Sequence, residues 1–354
     1  ELDADEHAGL AALLEQHGGA FATAPGNLTT AADCRIPLRT GTVPVSCRAP
    51  RYSAEKRAAV AEQCQIALDA GVIERVDHNT SEWCSPALCV KKKSLDGSVQ
   101  WRMCVDYREL NKNTVPDRYP MPTCDEQLND LAEVAACNGF FSCFDLYSGF
   151  WQVPVPPEER DKTAFVTHNG LFRCTAMPFG LVNAPAVFQR MMNTALADCI
   201  ASGFCRVYID DIVVYSKTYE EHVAHLDAVL SAIEASRLVC KPPKCYVGYR
   251  QIVHLGHLVG SGGIRVDPST TRAIDEYPEP RNASEVRSFL GLAGYCRGFI
   301  EHFSELAAPL YDLTRIDSPS SWECLPATAR CAFDDFRAAL VSAPCLALPR
   351  FDRE

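Results

Sequence analysis

The sequence predicts an α+β fold, a mixed sheet backed by helices on one face and followed by a helical unit. Three observations carry this. Short runs rich in β-branched and aromatic residues read as strands and hairpins, and amphipathic helical stripes lie between them. After Gly260-Ser261-Gly262-Gly263 the pattern turns helical, which makes that glycine-rich hinge the best domain boundary.

The 354 residues are enough for two or three packed units, and the 47% hydrophobic content supports real cores. No apolar run reaches the roughly 18 to 20 residues that span a bilayer, and Glu1-Leu2-Asp3-Ala4-Asp5 lacks the basic and apolar regions of a signal peptide. With no initiator Met, the ends read as cuts within a longer polypeptide. The 18 cysteines are scattered without any Cys-x-x-Cys, which suits a reduced, intracellular compartment. Cys240, Cys245, His254 and His257 come nearest to a zinc pattern, although Gly256 among apolar neighbours fits a strand edge equally well. A net charge of −11 argues against coating nucleic acid by bulk electrostatics but leaves room for a local basic groove.

Residues 1 to 52 form a weakly patterned lead-in, with a short helix expected around Leu10 to Leu14. From Ser53 a helix places Val60, Cys64 and Leu68 on one stripe, and Gly71 closes it. Ala87 to Val90 then enters Lys91-Lys92-Lys93, a turn at Asp96-Gly97 and a returning strand. There Val99, Trp101, Met103 and Val105 alternate with Gln100, Arg102, Cys104 and Asp106. The cations of this hairpin either converge on a phosphate-rich partner or form a solvated loop.

A Pro-rich stretch from Pro116 to Pro122 leads into a helix near Asp125 to Leu131. Phe140 to Leu146 is an apolar strand ending on Asp145, followed by a Ser148-Gly149 turn. An acid at the end of a buried strand either caps the turn or holds a ligand. Met177 to Leu181 is a tight loop before a helix starting near Asn183, with Phe188, Met192 and Leu196 in stripe. Another helix, Tyr219 to Ser236, turns Val223, Leu226, Leu230 and Ile233 inward. Beyond the hinge, Asn282 and Glu285 form a capping box, and stripes follow at Leu306 to Leu313 and Phe333 to Leu340.

Between the last two helices before the hinge region lies Tyr208-Ile209-Asp210-Asp211, flanked by the apolar runs Phe204 to Tyr208 and Ile212 to Tyr215. This reads as strand, tight turn, strand, with adjacent acids at the tip. Two neighbouring carboxylates repel unless a cation neutralises them, and hard oxygen ligands suit Mg²⁺. The bland alternative is a solvated acidic turn. Asp145 and the paired acids lie on strands of one sheet, where neighbours run about 4.8 Å apart, so strand-end carboxylates could share ions.

From roughly Ser53 to the C-terminus the sequence resembles the reverse transcriptase of Ty3/gypsy-type long-terminal-repeat retrotransposons. The likeness rests on several motifs in order. Val90-Lys91-Lys92-Lys93 with Trp101-Arg102 looks like the fingers hairpin, and Val105 to Asn111 the signature after it. Phe144 to Phe150 is similar to the first catalytic strand. Lys162 to Phe165, Met177 to Leu181, Asn183-Ala184-Pro185 and Phe188-Gln189 follow. Tyr208 to Asp211 matches the Tyr-x-Asp-Asp hairpin, Leu255-Gly256-His257 the primer-gripping turn, and Ser288 to Leu292 the helix after the palm.

The resemblance implies a right-hand polymerase of fingers, palm and thumb, with a mixed, largely antiparallel palm sheet backed by helices. It implies fingers at 53–120 and 155–176, palm at 121–154 and 177–260, a helical thumb at 261–320, and at 321–354 a connection and the truncated start of an RNase H-like domain. Asp145, Asp210 and Asp211 would hold two Mg²⁺ ions, with Mn²⁺ as a substitute and the Leu146 carbonyl as a backbone ligand. Lys92 and Arg102 would clamp the triphosphate of a dNTP, Phe150 would block a ribose 2′-hydroxyl, Phe179 and Gly180 would line the incoming base and sugar, and Lys244 would be the general acid for pyrophosphate. Expected partners are an RNA or DNA template with its primer, dNTPs, and the RNase H and other polyprotein domains, with no membrane and a cytoplasmic setting in retroelement particles.

Tyr147 stands where the family commonly carries a basic residue, and Trp151 where it often has His or Tyr, which bears on template contacts rather than on the reaction. Leu346 to Asp352 resembles the approach to an RNase H domain whose acids the sequence does not reach, so no RNase H activity is expected of it. Two other readings stand beside the enzyme. One is a catalytically dead, retroelement-derived nucleic-acid-binding protein. The other is a viral RNA-dependent RNA polymerase, which usually has a Gly before its paired acids and a small residue at the position of Phe150. The intact acid triplet favours the enzyme.

Overall fold

Side chains that can accept from free backbone N–H groups set the helix starts. In the computed structural model, which describes residues 2–24, 28–76, 81–93, 99–261, 263–315 and 322–341, α1 (Ala4–Gln16) begins at Asp3 and α2 (Ala54–Asp69) at Ser53. Their side chains accept from the N–H groups of Glu6 and Lys56. β1 (Ile73–Val76), β2 (Ser85–Lys93) and β3 (Val99–Val105) follow, then α3 (Arg108–Asn113) and α4 (Cys124–Ala136), where Thr123 and Glu126 close a reciprocal capping box. The turn expected at Asp96-Gly97 and the stretch Leu346 to Asp352 lie outside the described residues.

The middle of the chain runs β4 (Phe140–Asp145), α5 (Pro157–Arg160), β5 (Phe165–Thr167), β6 (Gly170–Cys174), α6 (Ala184–Ala195), α7 (Ala197–Ala201), β7 (Cys205–Tyr208), β8 (Asp211–Ser216) and α8 (Tyr219–Ala235). Four short strands come next: β9 (Tyr246–Tyr249), β10 (Gln251–His254), β11 (His257–Gly260) and β12 (Gly263–Val266). The remainder is α9 (Pro268–Asp275), α10 (Ala283–Tyr295), α11 (Phe303–Asp312) and α12 (Ala327–Val341).

Three sheets result among the described residues. A five-stranded sheet has the order β1-β6-β5-β2-β3 and contains the parallel pairing of β2 with β5. The central sheet, β7-β8-β4-β9, is antiparallel throughout, and β10-β11-β12 is a separate three-stranded meander.

The expectation of helices on one face of the central sheet is corrected. Ile212 and Val214 of β8 join a core with Val187 and Phe188 of α6 and Leu226, Val229 and Leu230 of α8. Val213 and Tyr215, pointing the other way, join a second core with Leu128 and Leu131 of α4 and the C-terminal helices. The sheet is therefore sandwiched, and its central strand reads as one unbroken apolar run because both faces are covered. A smaller third core, around Val60, Cys64 and Phe172, lies under the five-stranded sheet.

The capping box expected at Asn282 is half made. Its side chain accepts from the Glu285 N–H at 2.9 Å, but the Glu285 carboxylate turns to the Arg281 N–H and the Asn282 side-chain amide instead of the Asn282 backbone.

A buried imidazole ties α8 to three strands. His222, with no exposed surface, is hydrogen-bonded to the hydroxyls of Ser142 on β4 at 2.7 Å and Ser216 on β8 at 2.9 Å, and the Gly248 N–H of β9 donates to the same Ser142 oxygen. Burial, then the charges of His225 and Arg250, push its pKa down to about 3. Below pH 6.5 the unfolded chain therefore takes up a proton that the folded chain refuses until about pH 3. Stability should be full above pH 6.5 and fall as the pH drops through that window, by up to about 1.4 kcal/mol per unit from this group. Urea unfolding between pH 7 and 4 should show a shallower pH dependence in His222→Gln, whose amide can still pair with the hydroxyls but does not titrate.

Candidate active site

Strand pairing brings the expected acids together. Asp145, the last residue of β4, is the register partner of Asp211, the first residue of β8. Asp210 precedes it in the two-residue loop that joins β7 to β8, where Tyr208 pairs with Asp211. The first loop residue, Ile209, adopts φ +54°. A β-branched residue in that region is strained, and such strain persists only where the surroundings over-determine it. Here the Ile209 N–H donates to Gln189 Oε1 at 2.7 Å, while Gln189 Nε2 donates to the Val207 carbonyl at 3.0 Å.

Asp210 is the most constrained of the three acids. Its Oδ1 is buried without a hydrogen-bond partner among the described residues. A Cβ added to Gly149 would collide with that oxygen and with the ring of Phe188, so the carboxylate rests in space that only a glycine leaves open. Burial, then the negative charges of Asp145 and Asp211, raise its pKa to about 6. Asp211 keeps a solvent-facing side, yet the protein crowding its carboxylate, and then Asp145, also raise its pKa.

Lys244, in a short turn at Pro242–Lys244, places its Nζ 2.8 Å from Asp145 Oδ2. The backbone of this turn is anchored to the same strand end, since the Lys241 N–H donates to the Asp145 carbonyl and the Tyr147 N–H to that of Val239. The Leu146 carbonyl lies between these two attachments.

An aromatic floor adjoins the acids. The ring of Phe150 stands 5.2 Å from that of Phe179 and 5.2 Å from that of Phe188, and the Arg102 guanidinium sits 5.3 Å from the Phe179 centroid. Gly180, at φ +95°, lets the chain turn beside Phe179. Asn111 pins that loop, donating to the Gly180 carbonyl at 2.8 Å and accepting from the Val182 N–H at 2.9 Å. Lys92 pairs with Gln100 across β2 and β3, and its side chain lies outside the described residues.

Opposite the acids, β10 and β11 are joined by Leu255 and Gly256, both at positive φ, a two-residue turn of the kind that suits right-twisted hairpins. Asp145, Asp211 and Lys244 share a cavity of about 230 Å³ with Tyr246, Val253 and Leu255.

The four residues with zinc-like spacing are not gathered. His254 is hydrogen-bonded to Gln127, and His257 stacks on Tyr295 and Phe299 with Nδ1 2.8 Å from the Leu255 carbonyl. Among the described residues no group of three or more His, Cys, Asp or Glu side chains is closed tightly enough to hold an ion as it stands. At the acid triplet, Lys244 occupies one side of Asp145. The donor set still fits a hard divalent cation: three carboxylates, one with an oxygen that no protein group satisfies.

Two glutamines that shape the site carry little signal in the sequence. Gln189 stands out only within a motif, and Gln127 does not stand out at all. Each is polar on an inward helix position, and a buried amide must find partners.

Residues 90–259 match the family model for reverse transcriptase (RNA-dependent DNA polymerase). The chain is 36% identical over 327 residues to the retrovirus-related Pol polyprotein from transposon opus of Drosophila melanogaster, covering 89% of this chain and 32% of that protein. It is 37% identical over 242 residues to the corresponding polyprotein from transposon gypsy of the same fly, covering 68% of this chain and 23% of the relative. The chain thus spans about a third or less of these relatives. Among solved structures, the foamy viral protease-reverse transcriptase in complex with an RNA/DNA hybrid superposes with a TM-score of 0.83 at 23% identity, covering 98% of this chain and 45% of that one. At that identity the likeness is one of fold.

The space under Asp210 is testable by stability alone. Gly149→Ala should destabilise the fold by about 1–3 kcal/mol through overpacking against the carboxylate and Phe188. Gly291→Ala on α10, where nothing stands within 4 Å, should stabilise by about 0.5–1 kcal/mol. Urea midpoints moving the same way in both variants would contradict this reading.

Proposed function

Because the chain belongs to the reverse transcriptase (RNA-dependent DNA polymerase) family, we propose that it extends a primer 3′-hydroxyl with dNTPs on RNA or DNA templates, copying retroelement RNA into DNA. The observation that carries the proposal is the meeting of Asp145 and Asp211 as register partners, with the unsatisfied carboxylate oxygen of Asp210 beside them. In this reading the three acids hold two Mg²⁺ ions, with Mn²⁺ as a substitute and the Leu146 carbonyl as a backbone ligand. Divalent ions held there would supply Lewis acidity toward the attacking hydroxyl and the leaving pyrophosphate.

The chain's own side chains do the positioning. Arg102 and Lys92 hold the triphosphate, Arg being suited to two-pronged contact with phosphate oxygens. Phe150, wedged between Phe179 and Phe188, cannot move aside easily and meets a ribose 2′-hydroxyl sterically. Phe179 and Gly180 line the base and sugar. Lys244, whose Nζ lies 2.8 Å from Asp145 Oδ2, is the proton donor for pyrophosphate.

Residues 53–120 and 155–176 are the fingers in this assignment, 121–154 and 177–260 the palm, 261–320 the thumb, and 321–354 the approach to an RNase H-like domain. Contacts to template and primer fall mainly on backbone and duplex shape, since a polymerase accepts any sequence. The remaining domains of a Pol polyprotein are its partners, and its setting is a cytoplasmic retroelement particle under reducing conditions. Among the described residues the cysteines are free thiols, and no helix is long and apolar enough to cross a membrane.

Primer extension on an RNA template with Mg²⁺ tests the proposal. Asp210→Asn should abolish extension while primer-template binding stays within about twofold, because only a charge facing the proposed ions is removed. Retained synthesis would sink the metal assignment, and a wild-type protein that binds but never extends would favour a catalytically dead nucleic-acid binder. Phe150→Ala should admit ribonucleotides, and unaltered sugar discrimination in competition assays would remove Phe150 as the gate.

A further inference from the structure

β7 is an edge strand of the central sheet, so alternate backbone groups along it face away from the ladder. One of these, the Val207 carbonyl, is two residues from the strained loop position Ile209, and it is covered from two sides. Gln189 Nε2 of α6 donates to it at 3.0 Å and Gln127 Nε2 of α4 at 2.8 Å, which fills both lone pairs of the oxygen. Gln189 continues to the Ile209 N–H. Gln127 continues the other way, with its Oε1 3.2 Å from His254 Nε2.

His254 is the last residue of β10, directly before the turn at Leu255 and Gly256. The chain of bonds therefore joins the two hairpin tips that face each other across the cavity holding Asp145, Asp211 and Lys244. Both tips carry a branched side chain at positive φ, Ile209 at +54° and Leu255 at +45°. All three side chains in the chain are sealed from water: Gln127 is 2% exposed, Gln189 0% and His254 3%. Because the Gln127 amide nitrogen is committed to Val207, its oxygen must accept, which fixes the proton of His254 on Nε2. Burial, then the neighbouring His257, keep that ring neutral by lowering its pKa to about 4.

We propose that the buried chain His254, Gln127, Val207 carbonyl, Gln189 and Ile209 N–H is a positioning relay that fixes the β7–β8 tip, with Asp210 and Asp211, relative to the turn between β10 and β11. For what the tip does, the relay rests on the polymerase reading above. In that reading the turn grips the primer, so the relay holds the primer end and the acids at one spacing. Gln127 and His254 are positioning residues, since neither touches the acids. An apolar pair could fill the same space, but only the polar pair delivers a bond to Val207.

The test is a double-variant cycle with Gln127→Leu and His254→Phe. Each single change strands a buried polar group and should lower stability. The double change strands neither, so its urea midpoint should return close to wild type, while the tip has lost its tie to β10. In the double variant kcat for primer extension should remain about tenfold below wild type, with the dNTP KM and primer-template Kd within about twofold, as expected for misplaced catalytic groups. Amide hydrogen exchange over residues 205–212 should also speed up about tenfold in the double variant. That measurement needs no turnover, so it judges the relay even if the wild-type protein fails to extend a primer and the polymerase reading falls. Wild-type exchange over 205–212 in the double variant would overturn the relay, as would a kcat that recovers together with stability.

Discussion

Three carboxylates of like charge, two of them with pKa values raised by burial and then by the charge of Asp145, sit at one end of a buried sheet. Left alone they would spread or protonate. Much of the surrounding structure holds them in place: β4 beside β8 sets Asp145 against Asp211, the two-residue loop aims Asp210, and Gly149 leaves room for its oxygen. Lys244 supplies the nearest positive charge. A cluster so crowded with negative charge is stable only because the cores on both faces of the sheet fix the strands that carry it.

That dependence explains what the sequence could and could not reveal. Apolar runs that become β4 and β8 are legible because burial demands them, and the acids that end or begin those runs stand out against them. The same holds for Phe188 and Met192 on α6, whose spacing announces an inward face. The sandwiching of the central sheet was written in the unbroken run Ile212 to Tyr215, but a run of four apolar residues says that both faces are covered without saying by what. The cover on the second face comes from α4 and from a core that continues through the β10–β12 meander into the C-terminal helices, a packing that no local pattern encodes.

Polar residues inside the protein are where local reading fails most. Gln127, Gln189 and His222 each interrupt a helical stripe, and helical spacing alone counts them as flaws in it. In three dimensions each bonds to backbone or hydroxyl groups inside the protein: the Val207 carbonyl, the Ile209 N–H, and the Ser142 and Ser216 hydroxyls. Their meaning lies in partners 6 to 127 positions away. The zinc-like spacing of Cys240, Cys245, His254 and His257 misleads for the same reason, because the two histidines point to Gln127 and Tyr295 once the hairpin forms.

The two glutamines also answer a problem that the hairpin creates. An edge strand leaves half its backbone groups unpaired, and a two-residue turn with Ile209 at positive φ adds strain at the point where position matters most. Solvent could satisfy those groups, but water would leave the tip free to shift. Protein donors in a dry core fix it, and because Gln127 and Gln189 meet on one carbonyl, movement of either helix is felt at the acids. Strain at the tip and rigidity beneath it are thus two sides of one arrangement: Ile209 keeps its unfavourable backbone because the bonds under it leave no alternative.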